Sequence, residues 1–329
     1  MNSIPSLLSR DESSALKGLL ILLIVLGHNS LIMGETGLFP WLYSFHVYSF
    51  YIFPFIYGCS EIPEMEKGKW LWQRIWKNIC RFYPLYIGWS LLGSAAGVMS
   101  GKISFVPQGI IKALVMGNEG LLAQYCGMAL FWFLPTIVAV MFWRDLYFLS
   151  KSVWKKIILG VSVILWICSA AGWTNFHSFG LLAPFACFQG LFFAASGIIS
   201  RSALEKLKDG VRTEVACCGV FMIAISYVYW RKYLPASCTW LTWVIVPTVF
   251  FVTIFQFRHC LSKIALFRFL GKYSLQIYLL HSFIFNLLLR FCPYKNIGIG
   301  IGNYIVTLSL SVVIAMVCEK TVFKKILFT

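Results

Sequence analysis

Leu16–Met33 reads LKGLLILLIVLGHNSLIM, an apolar run of helix length with Lys17 near its start and His28 well inside it. An ionisable side chain inside a membrane span is costly, so it persists where it works or where it is paired. Eleven residues at about 100° each bring a helix back to within roughly 20° of its starting direction, so Lys17 and His28 share a face. At about 1.5 Å per residue they lie about 16 Å apart, roughly half the hydrocarbon thickness of a bilayer. The run therefore predicts a membrane helix with a polar stripe from one surface to near the midplane.

The rest of the chain agrees with a membrane solvent. Of 329 residues, 59% are hydrophobic and only 12% are charged, with a mean hydropathy of +0.78. A soluble domain this apolar would lack the polar surface it needs. Ten apolar spans are legible, near 15–33, 42–58, 82–99, 127–148, 155–172, 179–199, 213–230, 239–257, 273–291 and 297–318. Each can cross as a helix, although 42–58 and 213–230 are near the short limit of roughly 17 residues. Continuous apolar runs favour helices over a barrel, because lipid leaves backbone polar groups no partner outside their own segment. No small-residue cleavage site follows the first span, so it does not read as a removed signal peptide. The expected fold is an all-α polytopic membrane protein, residues 1–329 forming a single domain.

Charge placement orients it. With the N-terminus inside, 22 of the 28 Lys and Arg fall in inner segments, richest between Lys67 and Arg81. The outer segments hold Lys102, Lys112, Arg231, Lys232, Arg290 and Lys295. This bias predicts cytoplasmic termini. It also explains the net charge of +16 as topology, so nucleic acid is not an expected partner. The longest outer connection, Ser100–Gly127, is itself partly apolar and reads as an interfacial or re-entrant segment. Making it an eleventh span would invert every later loop and destroy the charge pattern. The eleven cysteines include no CxxC pair, and small apolar packing is their simplest reading.

Five histidines carry the chemistry: His28, His46, His177, His259 and His281. His177 and His259 fall in loops and read as solvated residues. The other three lie within spans, at depths of roughly 13–18 Å above the inner surface. His281 shares a stripe with Ser274 and Tyr278 at helical spacing. The structural alternative for each is a histidine hydrogen-bonded across helices. None of the twelve carboxylates falls in the interior of a span, the nearest being Asp145 and Glu214 at inner ends and Glu119 in the outer connection, which disfavours a proton-coupled pump and a Ser-His-Asp triad. No HxxxH or HExxH spacing supports a metal or haem. What remains suits an imidazole that takes a proton from a hydroxyl or briefly carries an acyl group.

Four stretches give the chain a family likeness. Lys17–Asn29, KGLLILLIVLGHN, places a basic residue, ten residues, then histidine in a GHN ending. Ser44–Phe53, SFHVYSFYIF, is similar to an SFHMPLFFFL opening of helix two, with Tyr48 in place of the proline. Lys77–Tyr86, KNICRFYPLY, is similar to RRxxRIYPxY, with Asn78 where the first Arg of RxxR is expected. Leu270–His281, LGKYSLQIYLLH, closely matches the penultimate helix, and Phe131–Pro135, FWFLP, more loosely matches the start of helix four. In these the chain resembles the acyltransferase-3 family of integral-membrane acyltransferases, bacterial ten-helix proteins that acylate sugars and other surface acceptors from acyl-CoA.

The resemblance implies His28 as the catalytic residue, as base or acyl carrier, with acetyl-CoA as co-substrate. It implies Lys17, Arg81 and Lys77 as donor-binding groups, with Arg74 a possible substitute, and His46, His281, Tyr278, Ser274 and Asn29 in supporting places. The alternative for these basic residues is the positive-inside rule, simplest for Arg74, and for Lys17 snorkelling to the interface, although the family pattern favours function for Lys17. The implied acceptor is a surface polysaccharide or its lipid-linked precursor, and the implied location a bacterial inner membrane. The sequence ends soon after the tenth span, so transfer would be direct or through a separate periplasmic partner. A transporter or flippase of a lipid-linked glycan is the competing class. It accounts for the spans but not for the GHN and YSLQIYLLH matches.

Overall fold

The computed structural model describes residues 4–36, 49–58, 66–117, 119–170, 182–207, 212–232, 242–291 and 296–321. The chain forms two compact units. A terminal unit comprises Ser6–Ile56 and Ile199–Thr329, and a central unit comprises Met1–Pro5 and Tyr57–Ile198. The terminal unit opens with α1 (Arg10–Gly27), α2 (Ser30–Thr36) and α3 (Phe53–Ile56). The central unit holds α4 (Lys67–Met99), α5 (Pro107–Met116), α6 (Glu119–Cys126), a 3-10 turn at Ala129–Trp132, α7 (Phe133–Leu149), α8 (Ser152–Ala170) and most of α9 (Leu182–Lys206). The terminal unit then resumes with α10 (Arg212–Lys232), α11 (Thr242–Gln256), α12 (Arg258–Lys263), α13 (Ala265–Lys272), α14 (Ser274–Phe291) and α15 (Ile297–Glu319). The described elements are helical, in keeping with the all-α expectation.

Three stretches among the described residues are long and apolar enough to cross a membrane: Ala129–Leu149, Ser274–Phe291 and Ile297–Glu319. α1 is as long as a span, yet Arg10, Asp11, Glu12 and Lys17 make its 18 residues less uniformly apolar. The expected second span, 42–58, lies partly outside the described residues. Its described part includes α3, which starts at Phe53-Pro54, where a missing N–H costs nothing because a first-turn N–H has no helical partner.

α1 is the core helix of the terminal unit. Ser9 Oγ accepts from the Glu12 amide at 3.3 Å and Glu12 Oε2 accepts from the Ser9 amide at 2.8 Å, a reciprocal capping box that fixes where the helix begins. Beyond it Leu16, Leu20 and Ile21 are fully buried. A helix apolar around most of its circumference is stable only when neighbours surround it, and α13 supplies one wall. The two backbones touch at Gly18, against the Phe267 carbonyl, and at Gly271, against the Ser14 carbonyl.

The central unit is built on α4, a 33-residue helix that starts fifteen residues before the expected span, so the basic stretch Lys67–Arg81 is helical. Pro84 sits inside it. The connection after α4 folds back along it. Tyr86 Oη donates to the carbonyls of Ala113 and Leu114 at 3.2 and 3.1 Å, and Ser94 Oγ donates to the Tyr125 carbonyl at 3.1 Å. Tyr86 lies roughly 20 Å along the helix from Met99, so α5 and α6 return deep against α4. Elsewhere in the unit, the buried Asp145 is clamped by Arg74 Nε at 2.7 Å and Arg144 Nη2 at 2.6 Å. Removing either arginine would leave a buried charge short of a partner.

Burial also pushes the Glu119 carboxyl, at the start of α6, above its ordinary range. A folded-state pKa above the unfolded value means the charged form destabilises the fold, and that cost is lost as pH falls through the raised pKa. Glu119→Gln should therefore raise the melting temperature at neutral pH. The difference from wild type should shrink on acidification, as read from thermal melts in detergent across a pH series.

Candidate active site

The GHN triplet ends α1 and starts α2. Gly27 closes the helix, and His28 is its C-cap, with the backbone N–H donating to Ile24 O. Asn29 is fully buried and works in both directions. Its Oδ1 accepts from the Ile32 amide at 3.2 Å, capping α2, and its Nδ2 donates to the Gly300 carbonyl on α15 at 2.7 Å. Its side chain therefore fixes the break at His28 and ties it to the last helix.

That break puts the imidazole at an interruption of the helix. His28 Nδ1 lies 2.8 Å from the Ile24 carbonyl. A carbonyl only accepts, so Nδ1 carries the hydrogen and Nε2 carries the lone pair. His281, 1% exposed on α14, repeats the device with Nδ1 2.7 Å from the Tyr278 carbonyl and 3.1 Å from that of Ile277. Its Nε2 is buried with no hydrogen-bond partner among the described residues. The two rings face each other at 5.1 Å between centroids, tilted by 57°. Helix-bound carbonyls, rather than carboxylates, set both tautomers. The pair thus offers two basic nitrogens on rings in contact.

The neighbours fill in around them. The Tyr278 ring lies 5.9 Å from that of His281, as their shared stripe requires. Ser274 occupies the first position of α14. Lys17 is half-buried, with Nζ 5.7 Å from the centre of the Phe53 ring on α3. At the start of α14, Lys272 Nζ donates to Tyr273 Oη at 3.0 Å and to Glu319 Oε2 at 3.1 Å, while Tyr273 Oη donates to the same carboxylate at 2.6 Å. These bonds raise the Lys272 ammonium pKa and tie α13 and α14 to the end of α15.

A family model described as an acyltransferase domain matches residues 11–319, from α1 to the end of α15. The chain belongs to the acyltransferase-3 family. No curated protein and no solved structure matches it. The apolar helices and the family together make it a membrane acyltransferase.

Other residues singled out by the acyltransferase-3 likeness fall in different surroundings. Lys77 and Arg81 are exposed on α4 in the central unit, Arg81 with its guanidinium 5.2 Å from the Phe82 ring centre. Arg74 is engaged with Asp145. His46 and His177 lie outside the described residues. His259, read as a solvated loop residue, is exposed on α12, with Nδ1 2.7 Å from Glu12 Oε1 and Arg258 Nε 3.4 Å from the same oxygen. Among the described residues no three His, Cys, Asp or Glu side chains stand together as a metal site.

The sequence reading missed the buried face of α15. Gly300, Asn303, Thr307 and Ser311 form one stripe, and the three polar side chains are at most 6% exposed. The signal was present as polar residues at spacings of four inside a 23-residue apolar helix. It carries no ionisable group, and ionisable groups were what drew attention within spans.

Proposed function

We propose that this acyltransferase-3 protein transfers acetyl from cytoplasmic acetyl-CoA to a sugar hydroxyl of a surface polysaccharide or its lipid-linked precursor, with His28 as general base. The observation that carries the reading is the pinned imidazole at the end of α1. The Ile24 carbonyl holds Nδ1–H, so Nε2 carries the lone pair and is the proton acceptor. In the reaction Nε2 takes the hydroxyl proton as the oxygen attacks the thioester carbonyl. The tetrahedral intermediate then expels the thiolate, which recovers that proton from the imidazolium and leaves as free CoA. The products are the acetyl ester and CoA thiol, with the imidazole returned neutral.

Lys77 and Arg81 are basic and solvent-exposed, and we assign them to the donor's phosphates, which guanidinium and ammonium groups bind with charge-assisted hydrogen bonds. Lys17 is assigned to the donor as well, and His46, Ser274, Tyr278 and His281 to the surroundings of the reaction. Ten crossings with both termini inside, in a bacterial inner membrane, follow from the charge bias.

Membranes containing the protein, incubated with acetyl-labelled acetyl-CoA and host surface glycan, should accumulate label in a CoA-free glycan product. Control membranes should not. Binding of a lipid-linked glycan without any dependence on acetyl-CoA would replace this proposal with transport.

A further inference from the structure

The face that α15 buries is hydrogen-bonding but uncharged, and it is incompletely satisfied. Thr307 Oγ1 donates to Asn303 Oδ1 at 3.0 Å, which engages the amide's carbonyl and leaves its NH₂ group over. Asn303 Nδ2 is buried with no partner among the described residues, and so is Ser311 Oγ. A serine or threonine in an apolar helix ordinarily gives its hydrogen to the carbonyl one turn back. Thr136 and Thr253 do so, to Trp132 and Val249. Ser311 does not. On α14, the helix packed against α15, two further groups are unpartnered, His281 Nε2 and Gln276 Oε1. Buried polar groups are paired in native proteins as a rule, and several orphans on two packed helices mark a place where a polar molecule belongs.

The chemistry of the seam selects that molecule. It offers amide hydrogens from Asn303, a hydroxyl from Ser311 and lone pairs from His281 and Gln276, with no cation for a phosphate and no carboxylate for a metal. Saccharide hydroxyls, which both give and accept hydrogen bonds, match each of these groups in kind. The reacting end of an acyl-CoA does not, because a thioester has no hydrogen to give to His281 Nε2. We propose that the α14–α15 seam, through His281 Nε2, Asn303 Nδ2 and Ser311 Oγ, binds the hydroxyls of a neutral saccharide acceptor. This rests on the acetyl-transfer reading and adds which side chains choose the acceptor.

Ser311→Ala and Asn303→Leu test it in the acetyl-CoA and host-glycan assay, with glycan and acetyl-CoA each varied in turn. Ser311→Ala removes a hydroxyl that has no partner among the described residues, so it should not lower the melting temperature, whereas Asn303→Leu also removes the carbonyl that accepts from Thr307 and should lower it modestly. Each should raise the apparent KM for glycan about tenfold, the usual cost of one lost hydrogen bond to a buried partner, and leave the KM for acetyl-CoA unchanged. An unchanged glycan KM in both variants overturns the proposal. So does a raised KM for acetyl-CoA, which would put the donor's own chain in the seam. A fall in melting temperature with both KM values intact would make the stripe a packing device. Wild-type protein that transfers no acetyl to glycan defeats the enzyme reading and this assignment together, whereas wild-type transfer with unaltered variants defeats only the seam.

Discussion

Gly271→Ala will strip the membrane of folded protein. A Cβ at this position falls on the Ser14 carbonyl of α1, and one at Gly18 falls on the Phe267 carbonyl of α13. Both obstacles are backbone, so neither can rotate away as a side-chain tip would. The two helices would have to separate along a contact whose other residues are already buried, such as Leu16, Leu20 and Leu270. Overpacking of this kind costs on the order of 3 kcal/mol, a large share of a typical stability of roughly 5–15 kcal/mol. Gly302→Ala is the matched control, since a Cβ there meets nothing within 4 Å on α15. It should stabilise by about 0.5–1 kcal/mol, because alanine loses less backbone freedom in a helix. The yield and melting temperature of detergent-extracted protein read both effects. Equal behaviour of the two variants would contradict the close α1–α13 contact.

His28→Ala has the largest expected effect on activity, a loss on the order of 10³-fold in kcat/KM. The fold should tolerate it. The C-cap is made by the backbone amide, and the Asn29 side chain ties the break to α15. What disappears is the nitrogen that receives the hydroxyl proton. His281 is not expected to substitute, because its ring is held by Ile277 and Tyr278 in its own place on α14. Asn29→Ala should behave differently. It unseats both the start of α2 and the contact with Gly300, so stability and activity should fall together.

Much of this was legible in the residues. Lys17 and His28 on one apolar run marked α1, and the family motifs at GHN and YSLQIYLLH mark the ends of chain that supply the two facing imidazoles. The reason those motifs take their form was not legible. Gly27 closes α1 and Asn29 caps α2, but neither duty shows until the partner helices are in place. Gly18 and Gly271 were silent for the same reason: a glycine in an apolar helix announces a close approach only when the facing backbone is known. The N-terminal extension of α4 was hidden because a search for apolar runs stops where Arg and Lys begin, although a helix does not. The clamp of Arg74 and Arg144 on Asp145 joins residues 71 apart in sequence, beyond the reach of any local pattern.

The most direct test of the chemistry uses purified wild type and His28→Ala, matched for folded protein by their melting curves. Each is incubated with acetyl-labelled acetyl-CoA and host surface glycan, and label is counted in glycan freed of CoA. Wild type should label the glycan, and His28→Ala should fall to the protein-free background while keeping the wild-type melting temperature. Glycan labelled equally by the two proteins would contradict the assignment of His28 as the base.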